Sequence, residues 1–231
     1  MMFIGPHPEV LTPSRPLAEV FVAFGLFAYV LAVVAGTKYV YNYLRSRGSE
    51  HYVAVYYNRK LIHVLTGGVV ALLLPIFFTS PLIPFVHATI LAVITWIPHR
   101  VGRLMYWFQV RENMYEVNFC LMWGVAVLLA WFFLGNPIYA QIPILFMSFG
   151  DAVTGFTRNL LFKRRTKSWW GNIAMFAVCA PLAYLLIGAF GIPLAAAASI
   201  IEHYEFNPVD DNILISLVSL AGILVIKAVI A

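Results

Sequence analysis

The chain has 231 residues, 62% of them hydrophobic and 11% charged, with a mean hydropathy of +0.85 and a formal net charge of +5. An ordinary soluble domain carries about 25% charged residues, so this composition excludes a water-soluble globule. A bilayer-spanning helix needs roughly 20 mostly apolar residues, and the length then admits seven or eight spans and no second soluble domain.

The N-terminal stretch MMFIGPHPEVLTPSRPLAEV has no basic region ahead of an apolar one and no small-residue cleavage site, so no signal peptide is expected. Apolar runs follow in order at about Leu17 to Ala35, Leu61 to Phe78, Pro81 to Ile97, Val117 to Leu134, Pro137 to Phe149, Ile173 to Ala189, Pro193 to Ile201 and Ile213 to Ile230. The fifth and seventh are short for a full crossing. Each is expected either to be continued by polar residues or to be a half-helix buried among its neighbours. Between the first two runs, the tyrosines and basic residues of Thr37 to Asn58 predict an interfacial helix and a turn. Cys120 and Cys179 sit inside apolar runs with no ligand-spaced partner, which predicts neither a disulfide nor a metal site there.

Charge is distributed by side. With the gaps numbered alternately, the odd ones hold Lys38, Arg45, Arg47, Arg59, Lys60, Arg100, Arg103, Arg111, Arg158, Lys163, Arg164, Arg165 and Lys167, which is 13 of the 15 basic residues. The short even gaps near Thr79, Gly135 and Gly191 hold none. The positive-inside rule therefore predicts a multi-pass protein with the odd gaps in the cytoplasm and both termini outside. The acidic segment EHYEFNPVDDN, Glu202 to Asn212, falls on the cytoplasmic side as well.

Four polar clusters interrupt the apolar pattern. NRKLIHVLTGG brings Arg59, Lys60 and His63 to the start of the second run, with Arg59 and His63 four apart and so on one helical face. FGDAVTGF carries Asp151 between Gly150 and Gly155 at the end of the fifth run; a carboxylate there suits Mg²⁺, and the glycines admit close approach by a nucleotide or a neighbouring helix. Arg158 and the KRRTKS segment follow, where Lys163, Arg164 and Arg165 suit either headgroups or phosphate. Lys167 and Ser168, just before the Gly171 that opens the next run, suit phosphate at a helix N-terminus. Asp210, Asp211 and Asn212 immediately precede the last run, as caps or as ligands to a hard cation, so that Asp151 with Asp210 or Asp211 makes a candidate metal pair. The loop around His99, Arg100, Arg103 and Arg111 reads as an aromatic interfacial anchor, with Arg103 or Arg111 as candidate phosphate contacts.

Taken in order, RKLIHVLTGG, GDAVTGF, KSWWGNIAMF and VDDNILISL resemble the membrane-bound polyprenol kinases, a group containing phytol kinase and dolichol kinase and lying near the CDP-lipid synthases. The resemblance runs from about Asn58 to the C-terminus. It divides a single integral membrane domain, 1–231, into an N-terminal helix with its interfacial segment, 1–58, and a kinase-like core, 59–231. It implies an all-α helical bundle that transfers the γ-phosphate of CTP, or of UTP in some members, to a long isoprenoid alcohol such as phytol, geranylgeraniol or dolichol, with Mg²⁺. By matching position it assigns Gly150, Asp151, Lys167, Ser168, Gly171, Asp211 and Asn212 to the nucleotide and metal, with Arg59, Lys60 and His63 from the earlier motif; of the element that commonly follows the Gly-Asp motif, Arg158 alone matches. The expected partners are the lipid alcohol, a nucleoside triphosphate and membrane lipids, with no nucleic acid. A cytidylyltransferase making a CDP-activated lipid and a small transporter are the alternatives. Charge gathered at one surface speaks against the transporter, which would place ionisable groups deep in its spans.

Overall fold

In the computed structural model, which describes residues 5–162, 166–206 and 209–230, the chain is a bundle of helices. Six helical segments among those residues are long and apolar enough to cross a membrane. After a single 3₁₀ turn at Pro8–Leu11, helix α1 covers Pro16–Ser46. The polar and aromatic residues after Thr37 extend this helix, where an interfacial element had been expected. No Gly or Pro lies between Thr37 and Arg47 to stop it, and the break comes at Gly48, whose φ of 86° turns the chain. Helix α2, His51–Ile62, then continues through a π-helical turn, His63–Gly68, into α3, Val69–Phe77.

Two more long helices follow, α4 at Leu82–Val101 and α5 at Tyr115–Leu134, each closed by a left-handed glycine, Gly102 and Gly135. The short fifth run becomes α6, Pro137–Leu145, and passes through a second π-helical turn, Phe146–Gly150, into α7, Asp151–Phe162. Every residue from Ala140 to Ser148 is buried. A central helix that meets protein on all sides has no need of a lipid-facing stripe, so it tolerates Gln141, Ser148 and Asp151 where an outer helix would not.

Helix α8 covers Trp169–Ile187 and α9 covers Gly191–Ile201. The apolar segment Trp169–Ile201 reverses at Gly188 (φ 68°), which returns α9 along α8. A Cβ on Gly191 would meet the Ala183 carbonyl at 2.5 Å, and further down the pair Asn172 Nδ2 donates to the Ser199 carbonyl at 2.5 Å. The last helix, α10, is Asp211–Ile230. Helices α5 and α6 and the π turn that follows α6 sit at the centre of the core, with Trp123, Trp131, Ile142, Leu145 and Met147 buried, whereas α1 and α4 expose Phe21, Phe24, Ile90 and Val93.

Backbone groups freed by helix irregularities find side-chain partners, as an apolar medium demands. Pro75 has no N–H for the carbonyl of Ala71, and Gln141 Nε2 donates to that carbonyl at 2.9 Å. Within the first π turn the carbonyls of Leu65 and Gly67 accept from Tyr29 Oη and Trp123 Nε1. The two π turns pack on each other: a Cβ on Gly68 would lie 2.8 Å from the Phe149 ring.

Contacts across the bundle sort the connections by end. Asn58 Nδ2 bridges the Thr37 and Trp107 carbonyls, Tyr115 Oη donates to Glu205, and Lys167 reaches Glu202. At the opposite end Ser14 bonds Thr79, and His7 N–H donates to the Phe132 carbonyl and packs against Gly135. The basic odd-numbered gaps thus share one end of the molecule.

Candidate functional site

Three carboxylates from three helical segments meet at the basic end. Oxygens of Asp151, at the start of α7, Glu202, just past α9, and Asp211, at the start of α10, lie within 4.8 Å of one another, and all three residues are buried. Negative charges so close must be compensated. Lys60 Nζ donates to Asp151 Oδ1 at 2.5 Å. Arg158 donates through Nη1 and Nη2 to Glu202 Oε1 and Oε2 at 2.8 and 2.7 Å, a bidentate pair, while its Nε donates to the Ser168 carbonyl. Lys167 Nζ spans the Glu202 carbonyl at 2.9 Å and Asp211 Oδ2 at 3.3 Å.

That arrangement fits a hard divalent cation. Both carboxylate oxygens of Glu202 are engaged by Arg158, but Asp151 Oδ2 and Asp211 Oδ1 are buried and have no hydrogen-bond partner among the described residues. One unshared oxygen on each of two facing carboxylates is the donor type Mg²⁺ takes, usually one or two carboxylates with the rest of the shell from water and phosphate. Burial raises the Glu202 carboxyl above the usual carboxylate range. Burial works against the charge on Lys167 as well, but the carboxylates of Asp211, Glu202 and Glu205 outweigh it and hold the ammonium above its ordinary value. An anionic cluster with two lysines inserted is the electrostatic setting for a metal bound together with phosphate.

His63 connects this centre to the apolar interior. Its Nδ1 stands 3.4 Å from Asp151 Oδ2 without a well-formed hydrogen bond, and its ring stacks on Phe119 with centroids 3.8 Å apart. His63 and Arg59 also line a cleft of about 950 Å³, counting its open mouth, between α1, α2–α3, α4 and α5. The cleft runs from Ala23, Phe78 and Pro84 at one end of the bundle to Arg59, Phe108 and Glu116 at the other. From Pro84 to Thr95 along α4 that is about 16 Å at 1.5 Å per residue. Its walls are almost wholly aliphatic and aromatic.

The sequence-predicted residues divide into two groups. Lys60, His63, Asp151, Arg158, Lys167 and Asp211 converge on one centre. Arg59 stands beside it, with Cζ 3.8 Å from the Tyr115 ring centroid and Nε without a hydrogen-bond partner among the described residues. Asp210 instead caps α10: its Oδ1 accepts from Ile213 N–H and its Oδ2 from Asn118 and Asn212, and burial, with the Asp211 charge adding, pushes it up to about 6. Asn212 donates to Asp210 and to the Tyr115 carbonyl, and its Oδ1 has no hydrogen-bond partner among the described residues.

Ser168 is the N-cap of α8, accepting from Trp170 N–H. The space above the glycines is filled by protein. A Cβ on Gly155 would lie 2.8 Å from Lys60 Cε, one on Gly171 would collide with Arg158 Nε, and one on Gly150 would meet Cys179 Sγ. These glycines admit the cations and the neighbouring helix to the centre. Arg103 and Arg111 are exposed, and Lys163, Arg164 and Arg165 lie outside the described residues.

Asn172 is a member of the centre to which the sequence reading gave no role, and Glu202 is one that it placed only within the acidic segment before the last run, without a part of its own. Asn172 holds Arg158 Nη2 through its Oδ1 and donates to Glu202 Oε2. The available signals were a carboxylate directly after the short seventh run and an amide directly after Gly171. Compared with protein-family models, with curated proteins and with solved structures, the chain matches none.

Proposed function

We propose that this protein is a CTP-dependent lipid kinase that phosphorylates the terminal hydroxyl of a long-chain isoprenoid alcohol such as phytol, geranylgeraniol or dolichol. The observation that carries the reading is the apolar cleft lined by His63, whose ring stands beside the carboxylate centre of Asp151. A long tail lies in the cleft and its hydroxyl meets the charged centre. The four motifs that resemble polyprenol kinases also converge there, from α2, α7, α8 and α10.

Phosphoryl transfer asks a protein for positioning and charge neutralisation more than for covalent chemistry. Asp151 Oδ2 and Asp211 Oδ1 would hold Mg²⁺, which would supply positive charge to offset that of the phosphates. Lys167, partly exposed beside Asp211, and Arg59, with its free Nε, contact the phosphates. His63 orients the alcohol as its oxygen attacks the γ-phosphorus and the bond to the β–γ bridging oxygen breaks, releasing CDP, and the hydroxyl proton passes to the transferred phosphoryl group. Arg158 fixes Glu202, and Lys60 fixes Asp151, without either needing to touch substrate. In this reading α6–α7 is a seventh crossing, α9 is a half-length return arm, and the basic end with the site faces the cytoplasm.

The test is a phosphorylation assay on purified protein with labelled CTP or UTP, Mg²⁺ and a panel of phytol, geranylgeraniol and dolichol. The expected result is transfer of the γ-label with release of CDP, reduced about 10²–10³-fold in Asp151→Ala, as removal of a transition-state electrostatic group does. Pyrophosphate release with a phosphatidate acceptor would replace the kinase by a cytidylyltransferase. No turnover with any donor and acceptor would sink both.

A further inference from the structure

The charged end of the cleft has a second polar wall that the phosphoryl-transfer centre does not use. Glu116, in the first turn of α5, lines the cleft opposite the apolar stretch of α1. It is 7% exposed, and its Oε1 takes two hydrogen bonds, from His99 Nε2 at 2.6 Å and from Gln109 Nε2 at 2.7 Å. Gln109 is itself fixed, because its Oε1 accepts from Met105 N–H and its Nε2 also donates to the Thr95 carbonyl. The amide can therefore present only donors to Glu116, and the carboxylate is locked with Oε1 toward the protein. Its Oε2 is buried with no hydrogen-bond partner among the described residues.

An unsatisfied carboxylate oxygen in a nearly apolar environment is costly unless something donates to it. Other polar side chains along the cleft bond to backbone: Thr66 and Thr95 hydroxyls donate back to Ile62 and Leu91, and His87 Nδ1 lies 3.0 Å from the Ile83 carbonyl. Of the residues lining the charged end there remain an acceptor, Glu116 Oε2, and a donor, Arg59 Nε, each without a hydrogen-bond partner among the described residues. A hydroxyl has both complements at once, a hydrogen to give and lone pairs to receive.

We infer that Glu116 determines the head-group specificity of the cleft: its Oε2 accepts the hydrogen bond of an alcohol hydroxyl, so the cleft selects a hydrogen-bond-donating head over an acceptor-only head on the same tail. The inference rests on the reading that the cleft holds the lipid substrate, and it is tested by binding alone, without nucleotide. The probes are radiolabelled geranylgeraniol and its methyl ether, measured at equilibrium against the purified full-length protein in lipid nanodiscs.

The wild-type protein binds the alcohol about tenfold more tightly than the ether, the worth of one hydrogen bond to a charged acceptor. In Glu116→Gln the fixed donors of Gln109 keep the new carbonyl turned inward and its NH₂ faces the cleft, so the preference falls to about one or reverses toward the ether. A purely structural role for Glu116 would weaken both ligands equally and leave the ratio intact. An unchanged ratio in Glu116→Gln, equal wild-type affinity for alcohol and ether, or no saturable binding of either would overturn the inference; the wild-type comparison decides the matter even where the variant does not fold. If the alcohol preference depends on Glu116 but no phosphoryl transfer occurs, the kinase reading alone fails, and transfer with no alcohol preference removes this inference alone.

Discussion

Asp210 and Asp211 are neighbours in sequence with different work, and the difference is decided by which oxygens are already occupied. Asp210 spends both on the α10 cap and on two amides, whereas Asp211 keeps Oδ1 free and turns Oδ2 toward Lys167. A ligand that binds only the folded state stabilises it by about 2.7 kcal/mol at a hundred times its dissociation constant. Saturating Mg²⁺ should therefore raise the unfolding midpoint of the wild-type protein in detergent. Asp211→Asn abolishes that increment. Asp210→Asn costs roughly 1 kcal/mol of helix capping with and without the ion and leaves the increment in place. Equal loss in both variants would show that the pair acts as one ligand set. Neighbouring carboxylates look alike in a sequence, so only the hydrogen-bond geometry could separate the cap from the candidate ligand.

Among the elements, the α8–α9 hairpin brings Glu202 to the centre, and two glycines make it for different physical reasons. Gly188 has φ 68° with no atom near its missing Cβ, so alanine there meets only backbone strain, worth about 1–3 kcal/mol. Gly191 would put its Cβ against the Ala183 backbone at 2.5 Å, which no rotamer change can relieve. Gly188→Ala should thus lower thermal stability by about that amount and keep Mg²⁺-dependent stabilisation. Gly191→Ala should cost more and loosen the ion response too, because α9 must shift and carry Glu202 with it. Unfolding curves for both variants, with and without Mg²⁺, decide this, and a Gly191→Ala protein as stable as Gly188→Ala would contradict the close packing. The length of the short seventh run left two alternatives open, continuation by polar residues or a half-helix, and α9 has 11 residues. Its partner was not legible, because a reversal at one glycine leaves no mark on hydropathy. The extension of α1 through Ser46 was missed for a related reason: tyrosines and basic residues suit an interface in any conformation, and the helix stops only where Gly48 permits it.

Across the whole molecule, two features were open to sequence reading: the all-helical multi-pass architecture and the gathering of basic connections at one end. Both follow from composition and from the order of the charges. The cleft was not, since its walls come from four helices separated by up to about a hundred positions, and each contributes ordinary apolar residues. Nor is the side of the membrane fixed by the fold, which would be the same either way up; the positive-inside rule supplies that direction. The two ends offer a direct measurement. Arg103, after α4, and Ala189, in the α8–α9 turn, are both exposed and lie at opposite ends of the bundle. In a Cys120→Ala, Cys179→Ala background, a membrane-impermeant maleimide applied to bacterial spheroplasts should label Ala189→Cys at once and Arg103→Cys only after permeabilisation. The reverse pattern would turn the protein over and put the carboxylate centre on the side where CTP is absent, which would end the kinase reading on grounds of access alone. Labelling of both from outside would mean that the segment from α4 to α8 crosses a different number of times, and would refute α6–α7 as a spanning helix.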